Sequence, residues 1–271
     1  MRSFRRSIRP GAGLGNIAFI DSDSLSNYNA LWFTVRKSLS HGVEVNSTYT
    51  WSKSQDLNSL GSQGGYTLQN NFNPKGDYGL SDFDARDHFV FSGTWNLPFH
   101  GNRLTEGWLL ANITQLQSGN PLNVVTASTY NGVAGTVRPT LVGRYSTGRG
   151  AILSNGDVQF IQGTACRTLT PGCSFFAQST GFGNLRRNAL TGPGFADTDL
   201  SLEKTTRIAE SAALVLRVDA FDLLNHVNFG NPNLTATGTA TSTFGQIAAT
   251  RTAVGDAGSS RQLQFAMRFE F

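Results

Sequence analysis

The densest group of charged side chains in the sequence is Asp82, Asp84, Arg86 and Asp87. Carboxylates this close together could bind a cation at the mouth of a pore. We favour a structural network at the start of a strand, in which Arg86 neutralises the neighbouring aspartates and the strand end stays in water. The cluster is therefore expected to be structural.

Cysteine and histidine are the other residue types that could form a reactive or metal-binding site. Cys166 and Cys173 lie seven positions apart in a polar stretch that contains Gly and Pro. In an oxidising compartment they would close a small disulfide loop, with unpaired thiols as the alternative. A metal site is disfavoured because no His or further Cys lies nearby. His88 and His226, at boundaries between predicted strands and loops, are expected to form hydrogen bonds or interface contacts rather than bind a metal ion.

We expect no catalysis, because the sequence offers no convergent set of nucleophile, base or metal ligands. The glycine run Gly11-Ala-Gly-Leu-Gly15 follows no predicted strand and opens no predicted helix, so it is not a dinucleotide-binding loop. The Gly-x-Ser-x-Gly elbow of serine hydrolases is missing. Neither a cofactor nor a metal ion is therefore expected.

Bulk properties favour one all-β unit, for which 271 residues are sufficient. The mean hydropathy is -0.22, and no apolar run approaches the roughly 20 residues of a membrane helix, which excludes a helical membrane protein. Basic residues are dispersed apart from Arg2, Arg5, Arg6 and Arg9, so no nucleic-acid partner is expected. No apolar core follows that arginine cluster, so we do not expect it to be a secretory signal.

The carboxyl-terminal segment has the alternation of a membrane strand. Leu263, Phe265, Met267, Phe269 and Phe271 occupy alternate positions, separated by Gln, Ala, Arg and Glu. Because successive side chains of a strand point to opposite faces, the segment is apolar on one side and polar on the other. Its roughly 10 residues match a tilted strand that crosses a bilayer, with lipid on the apolar face and a wet lumen on the polar face.

The same alternation recurs along the chain. Short and long connections alternate between the strands, as in membrane barrels with tight periplasmic turns and extended outer loops. Long loops are expected at about 54–84 and 128–194, the second with a weak hairpin near Ile152 and Phe160–Ile161, and Phe244 and Ile247 could form a short strand. Strands are predicted around residues 31–36, 43–52, 89–97, 107–117, 121–127, 195–205, 212–223 and 261–271.

Seven charged residues fall on the polar faces of three predicted strands. An arginine in lipid at mid-depth would cost on the order of 2–4 kcal/mol, whereas opposite charges on neighbouring strands can pair inside a lumen at little cost. We therefore place these side chains in the lumen, as a structural ladder or, alternatively, in direct contact with a ligand. They are Asp197, Asp199, Glu203, Arg217, Asp219, Arg268 and Glu270.

A series of short motifs runs in order from residue 28 to the carboxyl terminus. Each motif is modest, and the ordered series is fairly specific. The motifs are Tyr28-Asn-Ala-Leu31, Ser40-His-Gly42, Tyr49-Thr-Trp-Ser-Lys-Ser54, Asp82-Phe-Asp-Ala-Arg-Asp-His-Phe89, Leu97-Pro-Phe99, Leu116-Gln-Ser-Gly-Asn-Pro121, Arg187-Asn-Ala-Leu-Thr-Gly-Pro-Gly194 and Phe221-Asp-Leu-Leu-Asn-His-Val-Asn-Phe-Gly-Asn-Pro232. Together they resemble the carboxyl-terminal barrel of TonB-dependent receptors, in the Oar-like group.

The resemblance implies a location in the Gram-negative cell outer membrane. For a whole receptor it implies a 22-stranded barrel with an amino-terminal plug, which imports a bulky ligand with energy transmitted through TonB. This chain is expected to be the last part of such a receptor: an irregular segment over residues 1–26, then an antiparallel transmembrane barrel portion of about ten strands over 27–271. Contact with the TonB complex would then require a plug outside the chain. Phe269 and Phe271 would form the signal that the barrel-assembly machinery reads.

The expected role is part of a barrel wall in outer-membrane lipid, with outward loops that help to capture an unknown extracellular ligand. A surface adhesion or polymer-binding β-protein without transport is the alternative, and an enzyme is a distant third. Strands taken from a larger barrel leave two unpaired edges, which lipid cannot satisfy. We therefore expect an open or imperfectly closed sheet.

Overall fold

The protein is built almost entirely from β-strands, as the sequence predicts. The computed structural model describes residues 24–59, 68–70, 73–126, 137–177, 181–239, 241–251 and 260–271. In these ranges no helix is long and apolar enough to span a membrane, and a short 3-10 helix covers Pro74–Asp77. The strands are β1 (Ser26–Ser40), β2 (Val43–Asp56), β3 (Gly79–Leu80), β4 (Asp87–Asn96), β5 (Trp108–Gln117), β6 (Pro121–Leu122), β7 (Val125–Thr126), β8 (Thr140–Leu141), β9 (Ser146–Thr147), β10 (Val158–Gln159), β11 (Ile161–Gln162), β12 (Thr164–Cys166), β13 (Cys173–Phe176), β14 (Leu190–Thr191), β15 (Phe195–Ala209), β16 (Ala212–Phe221), β17 (Thr235–Ala236), β18 (Gln246–Ile247) and β19 (Gln262–Glu270).

Seven long strands form the main sheet in the order β1-β2-β4-β5-β15-β16-β19, and the short β3 pairs with β2. Every neighbouring pair of long strands is antiparallel. The sequence predicts about ten barrel strands, and the difference between this number and the seven long strands lies mainly in the loop segments. The predicted strand over 121–127 is two short pieces, β6 and β7, which pair with other loop segments instead of joining the sheet.

Short and long connections lie at opposite ends of the main sheet. The turns β1–β2, β4–β5 and β15–β16 are short and share one end, while the connections after β2, β5 and β16 are long and share the other. The tightest turn consists of His41 and Gly42, which both have positive φ angles, 53° and 76°. Positive φ at both central residues defines the type I′ turn, whose twist matches that of an antiparallel hairpin.

Strand register separates the main sheet into an apolar and a polar face. Directly opposite residues of an antiparallel pair share a face, so a row can be followed from strand to strand. One such row joins Phe33, Tyr49, Phe89 and Leu116 across four strands. The same face also carries Leu31, Val43, Trp51, Phe91, Trp95, Leu110, Leu200, Leu202, Leu214, Leu216, Val218, Leu263, Phe265, Met267 and Phe269.

Several polar residues interrupt the apolar face, and those of β5 explain the less regular alternation of residues 107–117. Asn112, Thr114 and Thr198 lie on this face by register. Their groups bond to one another or to backbone: the Thr114 and Thr198 hydroxyls are 3.2 Å apart, and the Asn112 amide donates to the Asp199 carbonyl at 2.8 Å. Satisfied polar groups of this kind cost little in a low-dielectric medium.

The main sheet is open at both sides in the part of the chain that the structure describes. There β1 pairs only with β2, and β19 pairs only with β16. This agrees with the expectation of an open sheet. With five strands between them, the two edge strands run in the same direction.

The long connections form a compact body, which we call the loop assembly: the described parts of residues 118–194 and 222–251. Short strands join the two connections, because β7 pairs with β17 and β10 pairs with β18. The sequence predicts mostly irregular loop here, with weak strands near Ile152, Phe160–Ile161 and Ile247, and such strands are present. The apolar core of the assembly contains Leu122, Val124, Phe160, Ile161, Phe175, Leu185, Leu190, Ala236, Phe244 and Ile247.

Candidate functional site

The seven charged residues expected in the lumen all lie on the polar face of β15, β16 and β19. Register places Glu203 directly opposite Arg217, and Asp219 opposite Ser201. Arg268 and Glu270 face Val215 and Ala213 of β16, on the same side. Asp197 and Asp199 continue this row toward the loop end of β15.

The predicted ion pairs between neighbouring strands are wrong in detail. The ion pairs found on this face in the described residues lie within one strand: Arg217 with Asp219 at 2.8 Å, and Arg268 with Glu270 at 2.5 Å. Residues two positions apart in a strand share a face, so a long arginine side chain can reach a carboxylate of its own strand. These partly exposed pairs are weak, on the order of 0–1 kcal/mol, and they do not set the strand register.

At its loop end, the polar face is hydrogen-bonded to the connections. The Asp199 carboxylate accepts the backbone N–H of Asp222 at 3.0 Å, just where β16 ends. On β4 and β5, the nearest ring nitrogen of His88 and the side-chain amide of Gln115 are 3.2 Å apart. His88 therefore has the hydrogen-bonding role that the sequence suggests.

Beyond that end, two buried arginines connect three parts of the chain. We call Arg138, Arg187, Asp56, Asp77 and Asp82 the arginine clamp. The fully buried Arg187 side chain forms ion pairs with the carboxylates of Asp56 and Asp82. It also donates to the backbone carbonyls of Asp77 at 3.0 Å and of Asp56 at 2.9 Å. The loop assembly is thereby joined to the end of β2 and to the connection that follows it.

The second arginine of the clamp binds the same connection from another side. Arg138 pairs with Asp77 at 2.5 Å and donates to the Leu185 carbonyl at 2.8 Å. Its backbone N–H donates to Gln69 at 2.7 Å, and the Gln69 N–H donates to Asp77 at 2.6 Å. Buried charges require such paired and hydrogen-bonded surroundings, so the clamp fixes the geometry of these loops.

The prediction that Arg86 neutralises the neighbouring aspartates is wrong. In the described part of the chain, the Asp82 carboxylate pairs with Arg187 and accepts the Asn188 side-chain amide, and both residues lie far along the chain. Asp84 accepts the Ser54 N–H, and Asp87 accepts the Tyr49 hydroxyl at 2.6 Å. The neutralising arginine is thus distant in sequence, which local spacing cannot reveal.

The sequence gives one signal that could have identified the clamp. Arg187 lies in the run between Leu185 and Leu190, which are both core residues of the loop assembly. A charge inside a buried segment needs a buried partner. The identity of that partner depends on how the loops fold together.

The remaining site candidates occupy separate places. Cys166, the last residue of β12, and Cys173, the first residue of β13, form a disulfide with a Cα–Cα distance of 6.1 Å. His226 lies near the start of β15, with a ring nitrogen 3.3 Å from the Asn228 side-chain oxygen. Within the described ranges no group of three or more His, Cys, Asp or Glu residues could hold a metal ion. The glycine run 11–15 and the arginines of the first nine residues lie outside the described residues.

The apolar face is exposed over a large area. Phe265 and Met267 are 73% and 76% exposed, and Leu31 and Phe33 are each 68% exposed. Contiguous apolar surface of this kind marks contact with a membrane or another protein. Aromatic residues lie toward both ends of the strands, with Trp51 near the long connections and Trp95 near the short turns. This arrangement is typical of headgroup-level aromatic girdles.

The carboxyl-terminal aromatics lie at the short-turn end of the edge strand. Phe269 is on the apolar face, opposite Leu214 of β16. Phe271 follows the strand and is 97% exposed, with its ring centroid 6.1 Å from that of Phe269.

An antiparallel sheet with an exposed apolar face, a charged opposite face and long connections at one end defines a transmembrane β-barrel wall. A family model described as "Outer membrane beta barrel domain" matches residues 2–264. The chain belongs to this family of outer membrane β-barrel domains and is located in the outer membrane. A search of curated proteins and a search of solved structures each found no match.

Proposed function

We propose that the chain forms part of the barrel wall and the outer loops of a TonB-dependent receptor of the Oar-like group. In this role it contributes to the binding and import of a bulky ligand and performs no catalysis. The observation that carries the proposal is that the main sheet is open in the described residues and that its two edge strands run in the same direction. The assignment to the Oar-like group rests on the ordered motifs from Tyr28 to Pro232.

Strand direction argues for a larger barrel. The seven long strands of the described residues are an odd number, so this antiparallel sheet would pair its edges in parallel if it closed on itself. Two copies related by an axis along the barrel would also meet in parallel. Antiparallel closure therefore needs an odd number of further strands. If the seven strands of the main sheet belong to a 22-stranded outer-membrane transporter, the rest of that barrel has an odd number of strands.

The loop assembly supports a role in ligand capture. It has an apolar core, with the Phe175 and Phe244 ring centroids 5.1 Å apart in an edge-to-face arrangement. The arginine clamp and the disulfide add further constraints. A preorganised surface loses less entropy on binding than free loops do. The partners proposed are an extracellular ligand, the barrel-assembly machinery and, through a plug domain, the TonB complex.

A test of this proposal compares strains of the source organism with and without the gene. Fluorescent oligosaccharide and oligopeptide mixtures serve as probes, with surface binding and internal label measured separately. Import that needs both this gene and an active TonB system supports the receptor role. Surface binding that depends on the gene without TonB-dependent import favours the adhesion alternative. If neither quantity depends on the gene, the proposal is wrong.

A further inference from the structure

We propose that a cleft where the main sheet meets the loop assembly binds a phosphorylated glycolipid of the outer leaflet. The cleft, which we call the boundary cleft, has a volume of about 750 Å³. This volume is within the range of sites that enclose a sugar-sized headgroup. Its walls come from the ends of β5 and β15, the segment after β16, and the loop assembly. The lining residues used in the argument are Leu116, Arg149, Phe195, Leu224, His226 and Val227.

One wall of the boundary cleft continues the apolar face of the main sheet. Leu116 lies on that face opposite Phe89 and is 44% exposed. Leu224 and Val227, which follow β16, are 73% and 50% exposed. Apolar side chains at the membrane end of a cleft favour an acyl chain over a soluble ligand, because about 25 cal/mol are gained for each Å² removed from water. The occupant therefore reaches the cleft from the lipid.

The lining of the cleft also contains one arginine. Arg149 is exposed and lines the cleft, and its guanidinium lies 5.9 Å from the ring centroid of Phe229, another lining residue. Arg251 is not part of the lining, but its guanidinium lies 4.8 Å from the ring centroid of the lining residue Phe195. None of the ion pairs found in the described residues involves either arginine. The carboxylate-bearing Asp197 also lines the cleft, and it takes part in an interaction within the chain. A planar guanidinium can bind two phosphate oxygens at once.

The cleft is formed before any ligand enters. Asn228 holds the segment after β16 against β15, since its side chain accepts the Ala196 N–H and donates to the Ala196 carbonyl, both at 2.9 Å. The His226 N–H donates to the Asp222 carboxylate at 3.0 Å. These bonds fix the wall that carries Leu224 and Val227, so binding orders little additional chain.

The lining combines an apolar wall continuous with the lipid-facing surface and an arginine. This combination matches a ligand with acyl chains and a phosphorylated sugar head. Lipids of this chemistry lie in the outer leaflet of the outer membrane. Free phosphate would leave the apolar wall in water, and a neutral glycan would leave Arg149 without an anion. The inference does not depend on import, because a barrel wall without transport would present the same cleft.

The test measures binding of purified bis-phosphorylated lipid A to the full gene product, extracted from outer membranes in mild detergent and analysed by native mass spectrometry. We expect Arg149→Gln to weaken binding about tenfold or more, since it removes a charge-assisted interaction. Leu224→Ser should also weaken it. Arg144→Gln is the matched control, because Arg144 is an exposed arginine of the loop assembly outside the cleft.

Equal lipid A affinity in the native protein and in the Arg149→Gln and Arg144→Gln variants would overturn the proposal. So would full displacement of lipid A by inorganic phosphate at the same concentration, which would indicate a simple anion site. Heat-modifiable migration of each variant, compared with the native protein, separates a loss of binding from a loss of folding. A gene product that binds lipid A yet fails the import test would refute the transport role alone.

Discussion

Replacement of Arg187 by methionine should release the loop assembly from the main sheet. The Arg187 side chain is fully buried and forms two ion pairs and two bonds to backbone carbonyls. Methionine fills most of the volume but leaves the Asp56 carboxylate, 5% exposed, without its cation. Breaking a buried pair by removal of one partner costs about 3–5 kcal/mol. The partly exposed Asp82 adds little, because solvent screens its charge.

The assay is hydrogen exchange of the full gene product in outer-membrane vesicles, followed by mass spectrometry of peptides around residues 54–59 and 185–190. This loss of free energy corresponds to an increase of roughly two to three and a half orders of magnitude in the equilibrium constant for local opening. Arg186→Met is the matched control, since Arg186 is the exposed neighbour. If the Arg187→Met and Arg186→Met variants exchange equally, the clamp does not hold the loops and the reasoning fails.

A second variant distinguishes an unpaired charge from a loss of packing. Asp56→Leu combined with Arg187→Met removes both charges, and such replacements of a buried pair are often neutral or stabilising. We expect the double variant to recover much of the lost protection, which a double-mutant cycle would quantify.

Three other changes test separate parts of the fold. Gly42→Ala should lower the yield of assembled barrel on heat-modifiability gels, since φ is 76° there and the new Cβ would lie 2.8 Å from a backbone oxygen. Replacement of Cys166 and Cys173 by serine should destabilise the loop by about 2.5 kcal/mol on the loop-entropy estimate, seen as faster proteolysis of the surface loop. Phe269→Ser with Phe271→Ser should reduce outer-membrane assembly of the full gene product, measured as heat-modifiable protein.

Each of these changes has an internal control. Gly156 also has a positive φ, 88°, but nothing lies within 4 Å of its added Cβ, so Gly156→Ala tests strain without the close contact. A reductant should speed proteolysis of the surface loop in the native protein and should leave the proteolysis rate of the cysteine-free variant unchanged. Phe265→Ser removes an apolar side chain from the same strand, farther from the terminus. If this variant loses as much outer-membrane assembly as the Phe269→Ser, Phe271→Ser double variant, the terminal aromatics are not a specific signal.

The sequence was most informative where structure is local. Alternation within β19, for example, predicts both faces of the strand, because side-chain direction in a strand has a period of two. The hairpin at His41 and Gly42 is likewise a short-range feature. Residues 121–127 show where local patterns stop being informative. An apolar segment of that length suits a membrane strand or a buried loop strand equally well.

The sequence alone determined the all-β class, the outer-membrane character, and the face on which residues such as Arg217 and Glu270 lie, because all of these follow from composition and a two-residue period. Only the tertiary structure decided which charges pair. Arg187 meets Asp56 across 131 positions of sequence, while Arg217 pairs within its own strand. Contacts between distant segments depend on how long loops pack around a common core, and no local periodicity encodes that packing.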